Sequence, residues 1–93
     1  MSSSPIEHFP LACEVEVTDD ELLVWLVDGR MIAVPLVWYP RLLHATPEAR
    51  KDWRLIADGV GIHWPQVDED LSVEGLIRGI PSAEYVRAAR RGV

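Results

Sequence analysis

The chain is poor in cysteine, since Cys13 is the single cysteine among 93 residues. A single thiol cannot form an internal disulfide, and no cysteines and histidines have the spacing of a zinc site. The sequence therefore argues against a disulfide-stapled secreted domain and favours a reducing, cytoplasmic compartment. We expect no signal peptide either, because residues 1–10 contain no basic stretch followed by an apolar run.

Long hydrophobic runs and an excess of basic residues are also missing. The longest apolar stretches, Leu22–Val27 and Met31–Tyr39, are far shorter than the ~20 residues that a membrane-spanning helix needs. The 9 lysines and arginines face 15 acids, and the net charge of -6 argues against a nucleic-acid binder acting by itself. With 48% hydrophobic residues, the chain has enough apolar material for one packed domain.

The apolar pattern predicts an α+β fold built on an antiparallel, three- to four-stranded meander sheet. Leu11–Val17 alternates apolar and polar residues, with Cys13 on the apolar face, and Leu22–Val27 is a continuous apolar run. Asp28-Gly29 predicts a two-residue type I′ hairpin turn that leads into a third strand, residues 30–34. Ile62–Trp64 is typical of a short fourth strand.

Capping signals predict two or three short helices on one face of that sheet. Pro40 suits the first turn of a short helix, and Thr46-Pro47-Glu48 is a typical helix start. Ser72 has the chemistry of a second cap. The expected buried stripes are Ala49, Trp53 and Ile56 on the Thr46 helix, and Val73, Leu76, Ile77 and Ile80 on the Ser72 helix.

These elements predict three regions along the chain. Residues 1–8 form a flexible N-terminus, residues 9–80 form the α+β domain, and residues 81–93 form a helical, arginine-rich tail. The tail holds Arg87, Arg90 and Arg91, which could contact a partner or nucleic acid or simply balance the negative end of the helix dipole.

No catalytic pattern is present in the sequence. It contains no phosphate-binding glycine loop and no nucleophile with a matched base, so we predict a non-enzymatic protein without a cofactor. The densest group of acids, Asp68-Glu69-Asp70, is expected to form a loop, with His63 five residues before it. A small metal-binding protein or enzyme that uses His63 with Asp68 and Asp70 is therefore an alternative hypothesis.

The residue types enriched at binding hot spots cluster in Trp38-Tyr39-Pro40-Arg41. Two large rings beside an arginine fit an interface as well as they fit a core. We predict Trp38, Tyr39 and Arg41, together with the acids Asp68, Glu69 and Asp70, as partner-binding residues.

Several segments together resemble the DUF2442 family of small bacterial proteins of unknown function. These segments are Asp28–Arg30, Val34–Leu36, Trp38–Leu42, Ala45–Arg50, Trp53, Gly61–Pro65 and Asp68–Leu76. The resemblance covers roughly residues 9–80 and implies an α+β fold and a partner-binding role, with no catalytic residues to transfer. It also implies a partner encoded by a neighbouring gene, such as a DUF4160-like toxin, because the family is often encoded beside DUF4160 proteins in proposed toxin–antitoxin pairs.

The sequence thus predicts a protein-binding module, the antitoxin-like or regulatory half of a small bacterial operon pair. An acidic antitoxin could neutralise a basic toxin by charge complementarity. A structural homo-oligomer formed through an exposed edge strand is a further alternative.

Overall fold

Two three-stranded antiparallel sheets form the body of the chain in a computed structural model, which describes residues 10–91. The strands are β1 Ala12–Val17, β2 Glu21–Leu26, β3 Met31–Pro35, β4 Arg54–Ile56, β5 Gly61–Trp64 and β6 Glu69–Ser72. The helices are α1 Pro40–Leu43, α2 Pro47–Lys51, α3 Val73–Arg78 and α4 Ala83–Arg91, with 3₁₀ turns at Leu36–Trp38 and Ala57–Gly59. The predicted N-terminus, residues 1–8, and the last two residues of the tail lie outside the described residues.

The first sheet is the predicted meander, in the order β1-β2-β3. Alternation along β2 buries Leu22, Val24 and Leu26, and the register places Val15 and Ile32 on either side of Val24. One face of the sheet therefore supplies the core. The α+β class and the antiparallel meander are confirmed.

The β2–β3 hairpin differs from the predicted type I′ turn. The Leu26 N–H donates to the Arg30 carbonyl at 2.8 Å, which makes Val27–Gly29 a three-residue loop. Gly29 has a φ of 99°, and Asp28 is not among the residues with positive φ. A type I′ turn needs positive φ at two residues, whereas a three-residue loop that ends in a left-handed glycine needs it only at that glycine.

Cys13 is exposed, contrary to the prediction that it lies on the buried face of β1. A bulge between Ala12 and Glu14 shifts the β1–β2 register by one residue. Because side chains alternate with a period of two, this extra residue turns Ala12 inward and Cys13 outward.

The second sheet has the order β4-β5-β6, and it replaces part of a predicted helix. The Thr46 cap is confirmed, since Thr46 Oγ1 accepts from the Ala49 N–H at 3.1 Å. However, α2 ends at Lys51, and residues 54–56 pair with β5 as a strand, so the prediction of a helix through Ile56 is wrong. The 3₁₀ turn after β4 closes a hairpin with positive φ at Ala57, Asp58 and Gly59.

The predicted acidic loop is a loop only in part. Asp68 has a φ of 54° and ends the turn after Trp64, whereas Glu69 and Asp70 belong to β6 and pair with Trp64 and His63. The Ser72 cap of α3 is confirmed, because Ser72 Oγ accepts from the Gly75 N–H at 2.9 Å.

The predicted stripe of α3 is buried only at its start. Val73 and Leu76 belong to the core, but Ile77 and Ile80 are 40% and 54% exposed. Gly79 ends the helix in a left-handed conformation, so Ile80 lies past its end.

One hydrophobic core joins the two sheets. Trp64 from β5 is completely buried in the same cluster as Leu22, Val24 and Val34 of the first sheet. The Trp64 Nε1–H donates to the Arg50 carbonyl at 3.1 Å, which satisfies the polar atom of the buried indole. Within residues 10–91, no helix is long and apolar enough to cross a membrane.

Gly59 provides a test of how the two sheets fit together. It has a φ of 113°, and a Cβ at this position would lie 2.4 Å from the Ala12 carbonyl oxygen on β1. Gly29 also has positive φ, at 99°, but a Cβ there would meet nothing within 4 Å.

We therefore expect Gly29→Ala to cost about 1–3 kcal/mol of backbone strain. Gly59→Ala should cost about 1–3 kcal/mol more, because the backbone of β1 must move. Urea denaturation of the two variants measures the difference. Equal losses would show that the close approach of Gly59 to β1 does not matter.

Candidate functional site

Five of the six predicted partner-binding residues line one cleft, with Tyr39 buried at its floor. Arg41, Asp68, Glu69 and Asp70 line a cavity of about 630 Å³ between β6, α3 and the start of α4. Leu71, Leu76 and Ile80 add apolar surface to its wall, and Arg87 stands at the α4 side. The cleft therefore combines an apolar lining with charges of both signs.

Arg41 ties together three elements around this cleft. Pro40 begins the single turn of α1 and places Arg41 beside β6. Arg41 Nη1 donates to the Asp68 carbonyl at 2.7 Å, and Arg41 Nε lies 3.2 Å from Glu84 Oε1 and 3.9 Å from Glu69 Oε1. A guanidinium has five donors in a planar fork, so one side chain can serve both a carbonyl and two carboxylates.

Glu69 is the buried acid of the cleft, with 9% of its surface exposed. The register pairs it with the buried Trp64, which places both residues on the inner face of the second sheet. Burial raises the pKa of Glu69, Arg41 opposes that rise, and the nearby carboxylates of Glu84, Asp70 and Asp68 add to it. The charge of Glu69 is thus incompletely balanced within the described chain.

Tyr39 belongs to the core, with 1% of its surface exposed. Its hydroxyl donates to the Ile80 carbonyl at 3.4 Å, and burial, followed by the charge of Glu69, raises the pKa of Tyr39 to about 12. A buried ring offers a partner almost no surface, so Tyr39 is removed from the set of surface contacts. It supports the floor of the cleft instead.

Trp38 is half-buried against the core and does not line the cleft. Its backbone carbonyl accepts from Ser82 Oγ at 2.6 Å and from the Ser82 N–H at 3.2 Å. Ser82 Oγ in turn accepts from the Tyr85 N–H at 3.1 Å, in the first turn of α4. Trp38 therefore helps to anchor α4, and its predicted role in partner binding stays a prediction.

Asp70 lies on the opposite face of β6 from Glu69 and contacts His63. The two are paired residues of neighbouring strands, and His63 Nδ1 is hydrogen-bonded to an Asp70 carboxylate oxygen. Across residues 10–91, no three histidines, cysteines or acids come close enough to hold a metal ion. The metal-binding alternative thus has the predicted pair of His63 and Asp70 but no third ligand in this part of the chain.

The tail arginines are exposed on α4. Arg87, Arg90 and Arg91 share one helix face through their i, i+3 and i+4 spacing, and Arg87 alone lines the cleft. Their contact with a partner or nucleic acid stays a prediction.

Sequence reasoning missed Glu84, which forms the shorter ion pair with Arg41. The available signal was its isolation, because Glu84 is the single acid among three arginines in residues 82–93. The ion pair depends on α4 folding back toward α1, which no local pattern specifies.

The buried carboxyl gives a pH-dependent prediction. A raised pKa means that the folded state holds the Glu69 proton more tightly than the unfolded state does. The stability from this group is present below the usual pKa of 4.5 and is lost as the pH rises through the raised value. Glu69→Gln removes that loss.

We expect the free energy of unfolding of Glu69→Gln, relative to the unmodified chain, to increase between about pH 4 and about pH 7. Chemical denaturation at both pH values measures this difference. Glu74→Gln removes the same charge from an exposed face of α3 and serves as the control. A pH-independent difference for Glu69→Gln would contradict the raised pKa.

Comparisons with solved structures find two similar folds. A protein of unknown function from Rhodospirillum rubrum is 28% identical, with a TM-score of 0.69 over 80% of this chain and 92% of that one. An uncharacterised protein from Chromobacterium violaceum has a TM-score of 0.69 over 85% of this chain and 75% of that one. At 21% identity, this second likeness shows the fold alone.

No curated protein matches the chain significantly. The profile of the DUF2442 family, described as a protein of unknown function, matches residues 12–82. This match includes both sheets and α1 to α3, and with them Arg41 and the cleft acids Asp68, Glu69 and Asp70. The chain therefore belongs to the DUF2442 family.

Proposed function

We propose that this chain is a non-catalytic protein-binding module whose acidic cleft receives a cationic group of its partner. The main support for this proposal is the burial of Glu69, which is 9% exposed in a cleft lined by Arg41, Arg87 and three further carboxylates. The acids outnumber the arginines there, and the apolar side chains of Leu71, Leu76 and Ile80 lie beside them. A cationic side chain of a partner would be attracted by the carboxylates and would contact the apolar side chains of the cleft.

Arg41 pairs only weakly with Glu69, so a further cation can interact with this carboxylate. Its Nε is closer to Glu84 than to Glu69, at 3.2 Å against 3.9 Å, and its Nη1 is already hydrogen-bonded to the Asp68 carbonyl. A buried carboxylate is costly unless it is paired and hydrogen-bonded. A partner lysine or arginine bound among the carboxylates of the cleft would, through its charge, favour the ionised form of Glu69 and lower its pKa toward the usual value.

The overall charge supports a basic partner. The net charge of -6 attracts a cationic protein over several ångströms and raises the association rate at low salt. We propose that this partner is a small protein encoded by a neighbouring gene, such as a DUF4160-like toxin, and that the chain acts as its antitoxin-like or regulatory half. Binding would then neutralise the partner by covering its basic surface.

Co-expression with the product of the neighbouring gene tests this proposal. We expect a complex in size-exclusion chromatography and a relief of growth inhibition when both proteins are made. Asp70→Lys reverses a charge at the cleft and should weaken binding by about tenfold or more, which corresponds to about 1.4 kcal/mol.

Glu74→Lys is the matched control for Asp70→Lys. Glu74 lies on α3 outside the cleft, and both acids are exposed. Glu74 is ion-paired with Arg78, and Asp70 is hydrogen-bonded to His63. We expect Glu74→Lys to bind almost as tightly as the unmodified chain. Equal weakening by both variants would assign the effect to net charge, and the absence of any complex would overturn the proposal.

A further inference from the structure

β6 is an outer strand of the second sheet, and its open edge faces the cleft. The strand order is β4-β5-β6, so β6 pairs with β5 on one side only. Five consecutive residues, 68–72, line the cleft along this edge. An outer strand with an accessible groove beside it is the geometry used for adding a strand from another chain.

The register shows which backbone groups are free to pair. The Val73 N–H donates to the Val60 carbonyl at 3.0 Å, next to the pairs Gly61–Ser72 and Ile62–Leu71. Hydrogen-bonded and non-hydrogen-bonded pairs alternate in an antiparallel ladder. The backbone N–H and C=O groups of Leu71 and Glu69 are therefore hydrogen-bonded to β5, and those of Asp70 point to the open edge of β6.

Arg41 provides independent evidence for this assignment. The peptide bond between Asp68 and Glu69 is trans, so the Asp68 carbonyl points away from β5 when the Glu69 N–H points toward it, and this carbonyl accepts from Arg41 Nη1 at 2.7 Å. A cationic donor thus already satisfies one acceptor of the edge. Within residues 10–91, no segment outside the sheet ladder donates to or accepts from the Asp70 backbone.

We propose that an extended segment of a basic partner pairs antiparallel with β6, as a fourth strand of the second sheet. This inference rests on the proposed function and specifies how the partner enters the cleft. The edge of four residues corresponds to about 13 Å of strand. Backbone hydrogen bonds supply affinity, and alternate side chains supply specificity.

The chemistry of the segment follows from the two faces of β6. Side chains directly opposite each other in an antiparallel pair lie on the same face, so the partner residue opposite Asp70 lies beside its carboxylate. The next partner residue lies on the face of Leu71, near the apolar surface of Leu76. The fitting segment therefore alternates basic and apolar residues.

A second copy of this chain fits the edge poorly. Antiparallel pairing of two β6 strands about their outward-facing Asp70 residues would place the two Asp70 carboxylates directly opposite each other. Like charges placed opposite each other across a sheet are destabilising. The acids thus select a cationic segment and disfavour self-association through this edge.

Three eight-residue amidated peptides test the pairing. The first alternates lysine and valine, the second carries N-methyl groups on its lysine backbone amides, and the third carries them on its valine backbone amides. In the antiparallel arrangement the lysine opposite Asp70 directs its N–H toward β6, and the valine N–H faces away. All three peptides have the same charge.

We expect the unmethylated and valine-methylated peptides to bind with similar affinity, and the lysine-methylated peptide to bind at least about tenfold more weakly. We also expect hydrogen exchange of the Asp70 amide to slow at least about tenfold when the unmethylated peptide is bound. The Leu71 amide, already bonded to β5, should change little.

Equal binding of the three peptides would overturn strand pairing and leave charge-driven binding intact. Weakening by valine methylation alone, or binding without protection of the Asp70 amide, would also overturn the antiparallel arrangement. If no peptide binds but the neighbouring gene product forms a complex, strand pairing fails and the proposed function stands. If neither binds, both proposals fail.

Discussion

The antiparallel register between β5 and β6 is the constraint on which the rest of the site depends. Pairing Trp64 with Glu69 places both on the inner face, where the indole fills the core joining the two sheets and the carboxylate is buried at the base of the cleft. The same register pairs His63 with Asp70 on the outer face. With Trp64 held in the core, a shift of β6 by one residue would turn Asp70 inward and Glu69 outward, so the buried tryptophan and this register together fix the position of both acids on β6.

Arg41 converts this strand arrangement into a defined cleft. The guanidinium joins α1, the turn before β6 and α4 through one carbonyl and two carboxylates. Because its side chain is 44% exposed, solvent screens these ion pairs, and their main effect is to hold the elements in position. The residual imbalance at Glu69 follows from this geometry, since the nearer acid for Arg41 Nε is Glu84. Arg41 thus holds the cleft in place and still leaves Glu69 able to interact with a further cation.

Local chemistry explains which parts of the fold were predictable. The Thr46 and Ser72 caps and the proline at the start of α1 depend on residues within one helical turn, and all three are confirmed. The meander also follows from short-range alternation. Two of the errors occur where a distant partner decides the outcome. Residues 54–56 leave the predicted helix to pair with β5, and Cys13 turns outward because a bulge adjusts β1 to β2.

The candidate site divides in the same way. Residue type and spacing alone identified Arg41, Asp68, Glu69 and Asp70, because charged and amphipathic side chains concentrated in two short segments stand out in any sequence. The sequence also determined the acidic character of the chain and the absence of a catalytic pattern. Only the tertiary structure decided that these two segments meet, that Tyr39 is buried beneath them and that Glu84 joins them. Burial and pairing depend on contacts between residues far apart in the chain, and no local pattern records which side of a strand will face the core.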